Sequence, residues 1–193
     1  GIAIGIASVT TLTGIGEGLR LYLLDSFSQF GSRLIAVSPG KTETAGGPQG
    51  ILASSRPLLL TDADLLRRLP GIEAAIPVVQ GQGEVRAGRL TRNTAILGTN
   101  HQAALGWRFT LAQGRFLPAD DSAMPRAYAV LGAKVANELF SQGEALGTLI
   151  RVGDRRFRVM GVMEPNGQFL GFDLDDMVYI PAAHAQALFN QEG

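Results

Sequence analysis

Residues 147–163 read GTLIRVGDRRFRVMGVM, and they form a hairpin pair on paper: two apolar, strand-like runs with VGDRR at the tip. Gly-Asp between such runs is the signature of a tight two-residue turn. Upstream, AYAVLGAKVANELF (127–140) reads as a buried strand running into a helix. Downstream, a Gly-rich loop, EPNGQFLGFDLDD (164–176), precedes the strand MVYIP (177–181) and a helix start at AAHAQALF (182–189). Strands and helices succeed one another without a repeating unit, which is α+β local structure.

Further toward the N-terminus the texture continues. HQAALGW (101–107) is a short helix and LAQGRFLPADDSAMP (111–125) an irregular segment. IEAAIPVV (72–79) and GEVRAGRL (83–90) read as strands joined by a Gly81-Gln82-Gly83 turn, leading into a third, NTAILGT (93–99). TDADLLRRL (61–69) reads as a helix with Thr61 as N-cap, acids in the first turn and arginines in the last, ending at Leu69 before Pro70-Gly71. Lys41 to Pro57 is a loop of Gly, Ser, Thr, Gln and Pro, and SRLIAVSPG (32–40) holds a short apolar strand over Arg33–Ser38 closed by Pro39-Gly40.

The first stretch, GIAIGIASVTTLTGIGEGL (1–19), carries no charge before Glu17. A membrane span needs about 20 apolar residues, so this stretch alone is too short to cross. A signal peptide would carry a positive leader before such a run and a cleavage site after it, and since the helical pattern here keeps going, a signal peptide is not the expected reading. Leu12, Ile15, Leu19, Leu23, Phe27 and Phe30 recur at helical steps, with Glu17, Arg20, Asp25 and Gln29 on other faces and Gly31 as the stop. One helix of about thirty residues, roughly 45 Å long, is expected, apolar all round at first and amphipathic later. Gly1 and Gly5, Ala3 and Ala7, and Gly14 and Gly18 stand four apart, a spacing that allows close approach of membrane helices, although soluble cores also hold such helices. Both chain ends are expected to be cut from a larger protein.

Composition narrows the function classes. Of 193 residues, 46% are hydrophobic and 7% aromatic, which suits a globular core. Seventeen basic residues balance seventeen acidic ones, so no long-range field gathers polyanions, and nucleic acid is not an expected partner. The absence of cysteine excludes a disulfide scaffold and thiolate metal sites. Gly40-Lys41-Thr42 imitates the end of a phosphate-binding loop, but position 36 is Ala36, Pro39 removes an amide donor, and a Gly-Pro-rich loop follows in place of a helix. His101 and His184 lie far apart, and a surface or helix-capping role is expected for each. Asp120 with Asp121, and Asp173 with Asp175 and Asp176, lack the spacing of a calcium loop and read as turn acids facing water. No nucleophile elbow occurs. No catalytic, cofactor-binding or metal residue is expected.

Six blocks in order carry a resemblance: FSQFGSRLIAVSPG (27–40), TRNTAILGTN (91–100), GWRFTLAQGRFLPADD (106–121), YAVLGAKVANELF (128–140), ALGTLIRVGDRRFRVMGVM (145–163) and DMVYIP (176–181). Together they resemble the periplasmic core domain of MacB-type ABC transporter permeases, in the MacB/FtsX-like superfamily, over nearly the whole chain. The resemblance implies a two-lobed extracytoplasmic domain carried between the first and second of four membrane helices, on the bacterial inner membrane. It places residues 1–31 as the outer end of the first membrane helix and its stalk. A porter-like strand-helix-strand lobe takes 32–91 and 177–193, and an inserted, mostly β lobe takes 92–176. It further implies a cytosolic ABC ATPase subunit or domain, a second permease copy, and, in efflux members, a periplasmic adaptor and outer-membrane channel. The expected role is mechanical: transmission of ATP-driven helix motion for export, with no cofactor and no enzyme activity in this chain. Leu12, Leu19, Leu23 and Phe27 would form the coupling seam, with Gly5 and Gly14 permitting close helix contact. Lipoprotein release, control of cell-wall hydrolases, and a passive binding or sensing ectodomain are the alternatives.

Overall fold

A computed structural model of the chain describes residues 35–37, 58–140, 144–169 and 172–189. The hairpin at 147–163 forms as its sequence requires: β5 (Leu149–Val152) pairs antiparallel with β6 (Arg155–Met163), and Val152 faces Arg155. Gly153 and Asp154 make the two-residue loop, with Gly153 at φ +58°. That positive φ is what a strand-twist-matched hairpin turn demands and what glycine supplies without strain.

A second hairpin joins β1 (Val79–Ala87) to β2 (Leu90–Thr99), and its loop is Gly88-Arg89, with Gly88 at φ +56°. The turn expected at Gly81-Gln82-Gly83 is therefore displaced. Those residues lie inside β1, where Gly81 faces Ile96 and Gly83 faces Thr94. The reason is packing from above. A Cβ at Gly81 would stand 2.5 Å from the Phe189 ring, and one at Gly83 2.5 Å from Ile96 Cδ1. The glycines let a helix and a neighbouring side chain close on the strand. The strand expected over 72–79 forms only from Val79 onward.

The remaining elements are α1 (Leu60–Leu66), α2 (Ala103–Gly106), β3 (Leu111–Gly114), β4 (Tyr128–Leu131), α3 (Ala133–Leu139), the small β7 (Gln168–Phe169) and β8 (Phe172–Asp173) pair, β9 (Met177–Pro181) and α4 (Ala182–Phe189). Helix α1 begins one residue before Thr61, with Leu59 as N-cap, and ends at Leu66 instead of Leu69. The Asp62 carboxylate accepts the Leu59 N–H at 2.9 Å, so the acid three residues inside the helix does the capping expected of Thr61. Of the strand expected over Arg33–Ser38, the described Ile35–Val37 form none, and Ile35 and Val37 are exposed. The long helix expected over residues 1–31 and the loop over 41–57 lie outside the described residues.

The strand order is β3-β6-β4-β9-β2-β1-β5, and β5 also pairs with β6. Strands β1, β2, β9, β4, β6 and β5 therefore close into a ring, and β3 attaches to the free length of β6. The β2–β9 and β4–β6 pairs are parallel and the other pairs antiparallel. Closure matters because it leaves few exposed ladder edges. The boundary expected between Thr91 and Arg92 falls inside β2, and strands on both sides of it share this ring.

Side-chain alternation sorts two cores. Val85, Ile96, Leu131, Ile150, Val152, Phe157, Val159, Val178 and Ile180, drawn from all six ring strands, meet inside the ring. Helix α4 closes it with Ala185, Leu188 and Phe189. The opposite face of β2, β4 and β9 supplies Leu97, Val130, Met177 and Tyr179, covered by Ala103, Phe116 and Leu117. Phe109 meets the Tyr179 ring edge-on at 5.4 Å. Strand β9 is buried on both faces along its whole length, which is why MVYIP is apolar without alternation. Each large side chain so buried contributes about 1.5–3 kcal/mol.

Candidate functional site

The residues expected to form the coupling seam, Gly5, Leu12, Gly14, Leu19, Leu23 and Phe27, all lie outside the described residues. The site can be built only from what the folded head presents.

The loop acids come first. Asp173, Asp175 and Asp176 are half-buried turn acids, and each is bonded within the protein as well as reaching water. Asp175 accepts the amides of Asn166 at 2.7 Å and Gly167 at 3.0 Å, pinning the start of the Gly-rich loop, and Asp173 accepts the Asp175 amide at 3.1 Å. Asp176 accepts a two-pronged contact from Arg92, Nε at 2.9 Å and Nη2 at 2.7 Å, together with the Thr94 hydroxyl at 2.6 Å. Arg92 also donates to Glu138 of α3, and Lys134 stands 3.7 Å from Asp176. Hydrogen bonding from Arg92 holds the Asp176 carboxyl below the usual carboxylate range, and the same pair raises the guanidinium. This network ties β2, α3 and the strand-entry turn of β9 together. Its carboxylates are occupied by donors, so it is a brace.

Asp120 is paired likewise, whereas Asp121 is exposed and bonds locally as a turn acid does. Asp120 accepts Arg126 Nη2 at 2.6 Å, which lowers its pKa, and Asp121 accepts the Ala123 amide at 2.9 Å. Among the described residues no three His, Asp or Glu side chains gather as a metal site.

His184 is not a cap or a freely hydrated side chain. It stands edge-on to Phe157 at 5.3 Å, with Nε2 3.0 Å from the Pro125 carbonyl and Nδ1 3.3 Å from Arg155 Nη1. Nε2–H donating and Nδ1 accepting is the neutral tautomer these partners select. Burial, reinforced by the Arg155 charge and opposed by the Pro125 carbonyl, holds its pKa below the ordinary value. Burial lowers His101 too, with Arg67 adding to it.

Two surface features remain. Leu59, Leu60, Thr61, Ser122, Ala123, Ala183 and Gln186 line an open cleft of about 290 Å³, too shallow and too poor in convergent polar groups for a small-molecule site. The outer wall of β1, β5 and β6 carries a row of arginines: Arg86 faces Arg151, and Arg151 faces Arg156, across adjacent strands. The sequence shows these residues, but only the strand register brings Arg86 beside a hairpin more than sixty residues away. Among the described residues no helix is long and apolar enough to cross a membrane.

Against this closed, α-capped ring, the profile of the MacB-like periplasmic core domain matches residues 1–193. The chain belongs to the MacB-like periplasmic core domain family. The resemblance carried by the six ordered blocks is thus borne out, as is a mixed α+β fold dominated by strands. Relatives of this core domain include the macrolide export ATP-binding/permease protein MacB of Marinobacter nauticus, 35% identical over 182 residues. The pyoverdine export ATP-binding/permease protein PvdT of Pseudomonas entomophila is 30% identical over 187 residues. These alignments cover 94% and 96% of this chain and 28% of the length of each relative. The periplasmic region of MacB from Actinobacillus actinomycetemcomitans shares the fold at a TM-score of 0.58 and 23% identity, over 69% of this chain and 58% of that one. The extracellular domain of the noncanonic ABC-type transporter YknZ from Gram-positive bacteria does so at 0.57 and 17%, over 69% and 67%.

Proposed function

We propose that this core domain is the extracytoplasmic head of an ABC transporter permease in the bacterial inner membrane, and that it passes ATP-driven movement of the membrane helices to the periplasm for export. The observation that carries the proposal is the family match across residues 1–193. The relatives named for macrolide and pyoverdine export support an efflux cargo over lipoprotein release or hydrolase control. The ring supports the mechanical reading. Force applied at one strand of a closed barrel is shared around it, because each strand is hydrogen-bonded on both sides. The Arg92–Asp176 brace adds a cross-link between the ring and α3.

In this proposal the chain performs no chemistry. A cytosolic ABC ATPase subunit or domain hydrolyses ATP, a second permease copy completes the dimer, and a periplasmic adaptor and outer-membrane channel receive the cargo. Residues 1–31 serve as the end of the first membrane helix and as the lever, with Leu12, Leu19, Leu23 and Phe27 as its seam and Gly5 and Gly14 at close contacts.

The test is Leu19→Asp in the full-length permease with its ATPase. A carboxylate in the seam is expected to abolish export while ATP hydrolysis continues. Export at the wild-type level would remove the seam. Failure of the permease to co-purify with any ATPase would favour a passive ectodomain instead.

A further inference from the structure

The arginine row on the outer wall has a structural cost. Arg86, Arg151 and Arg156 occupy directly opposed positions on three neighbouring strands, about 4.8 Å apart laterally. Like charges in that arrangement destabilise a sheet. Arg158, two residues beyond Arg156 on the same face, extends the patch next to Leu149, its register partner, which is 55% exposed. Among the described residues the only ion pair in the patch is Arg86 with Glu84, at 2.8 Å. The Arg151 Nε is held by the Gly153 carbonyl at 3.0 Å, which fixes its stem at the hairpin tip and leaves the rest of the fork for a ligand. The chain has no net charge, so four arginines on one wall are a local concentration and not an overall bias.

We propose that this wall, Arg86–Arg151–Arg156 with Arg158, docks an acidic polypeptide segment in helical form. Charge complementarity and spacing select that occupant. Carboxylates three or four residues apart on a helix stand about 5–6 Å from one another, close to the inter-strand spacing of the row. A guanidinium fork matches a carboxylate in two-pronged fashion, and the exposed Leu149 offers an apolar contact beside it. An anionic bilayer is the rival occupant of a cluster of four arginines, and the vesicle arm of the test separates it from the peptide. The inference stands on the sheet register and does not depend on the export reading.

The test uses the full-length parent protein in nanodiscs of zwitterionic lipid. The probes are a fluorescent helical peptide bearing Glu at i, i+4 and i+8, the same peptide with Lys at those positions, and vesicles containing phosphatidylglycerol. The Glu peptide is expected to bind, with affinity falling steeply between about 50 and 200 mM salt as exposed charge contacts are screened. Arg156→Gln should weaken it roughly tenfold, and Arg151→Glu should remove it. Arg151→Glu also sets a carboxylate between Arg86 and Arg156, so its melting temperature should rise or hold while binding is lost. That combination separates lost docking from lost folding. Equal binding of the Glu peptide to wild type and Arg151→Glu, binding of the Lys peptide, or capture of the vesicles without the peptide would each overturn the proposal.

Discussion

Gly98 offers the sharpest check on how helix α4 seals the ring. A Cβ placed there would collide with the Ala185 Cβ and stand 3.2 Å from both the Ala182 Cα and the Val79 Cβ. Two of these obstacles belong to α4 at its buried face, where Ala185 is 0% exposed and Ala182 6%, and none is the tip of a flexible side chain. Gly98→Ala must therefore lift the helix. Overpacking of this kind costs about 1–3 kcal/mol, and the unyielding backbone argues for the upper end. Replacing a strand glycine by alanine returns about 0.5–1 kcal/mol. The net loss is about 2 kcal/mol, or about 4–8 °C in melting temperature for a domain of this size. Gly81→Ala is the internal control. The nearest atoms to its Cβ all belong to the Phe189 ring, at 2.5–2.6 Å, and a ring can rotate away, so the two terms nearly cancel. Urea unfolding followed by the fluorescence of Trp107, the single tryptophan, reads both variants. A lower midpoint for Gly98→Ala with an unchanged slope, and a midpoint near wild type for Gly81→Ala, is the expected pattern. If Gly98→Ala unfolds where wild type does, or Gly81→Ala is the more damaged, α4 is not seated as described.

Two further predictions concern protons. Asp176 has its carboxyl pKa lowered by Arg92, so its contribution is present above the unfolded value near 3.8 and is lost as pH falls through the lower folded value. Asp176→Asn should cost about 1–3 kcal/mol at pH 7, and the gap to wild type in a denaturation series should narrow as pH falls below the unfolded value near 3.8; a gap independent of pH would mean the brace is not ionic. His184 is likewise depressed, so the unfolded chain takes up its proton first and the fold loses stability as pH drops below about 6.5. His101 acts in the same direction, so the comparison is with His184→Gln: its melting temperature should fall less between pH 7.5 and 5.5 than that of wild type, and parallel curves would refute the assignment.

Local signals carried the elements whose chemistry is local. Gly153-Asp154 fixes a two-residue turn wherever it falls between apolar runs, and YAVLGAKVANELF changes period at Gly132, where the strand does give way to the helix. The Gly81-Gln82-Gly83 reading failed because the residues that require glycine there, Phe189 and Ile96, are remote or across the sheet. Thr61 failed as a cap for a smaller reason: Asp62, one residue on, reaches back to the Leu59 amide. Beyond the β5–β6 hairpin the strand order was not legible, since β2 pairs with β9 from about eighty residues away. For the same reason the acids at 173–176 read as solvated turn residues, although Arg92 and the amides of Asn166 and Gly167 were waiting for them.

The position of β9 carries a consequence for biogenesis. It is a keystone, slotted between β2 and β4 and followed at once by the helix that plugs the barrel. A nascent chain still short of β9 holds every other staple of the ring while baring a hydrogen-bonding edge on each side of the gap. Such a half-built domain is a template for strand exchange with its neighbour. Its safe assembly depends on β9 arriving before a neighbouring chain offers an edge of its own.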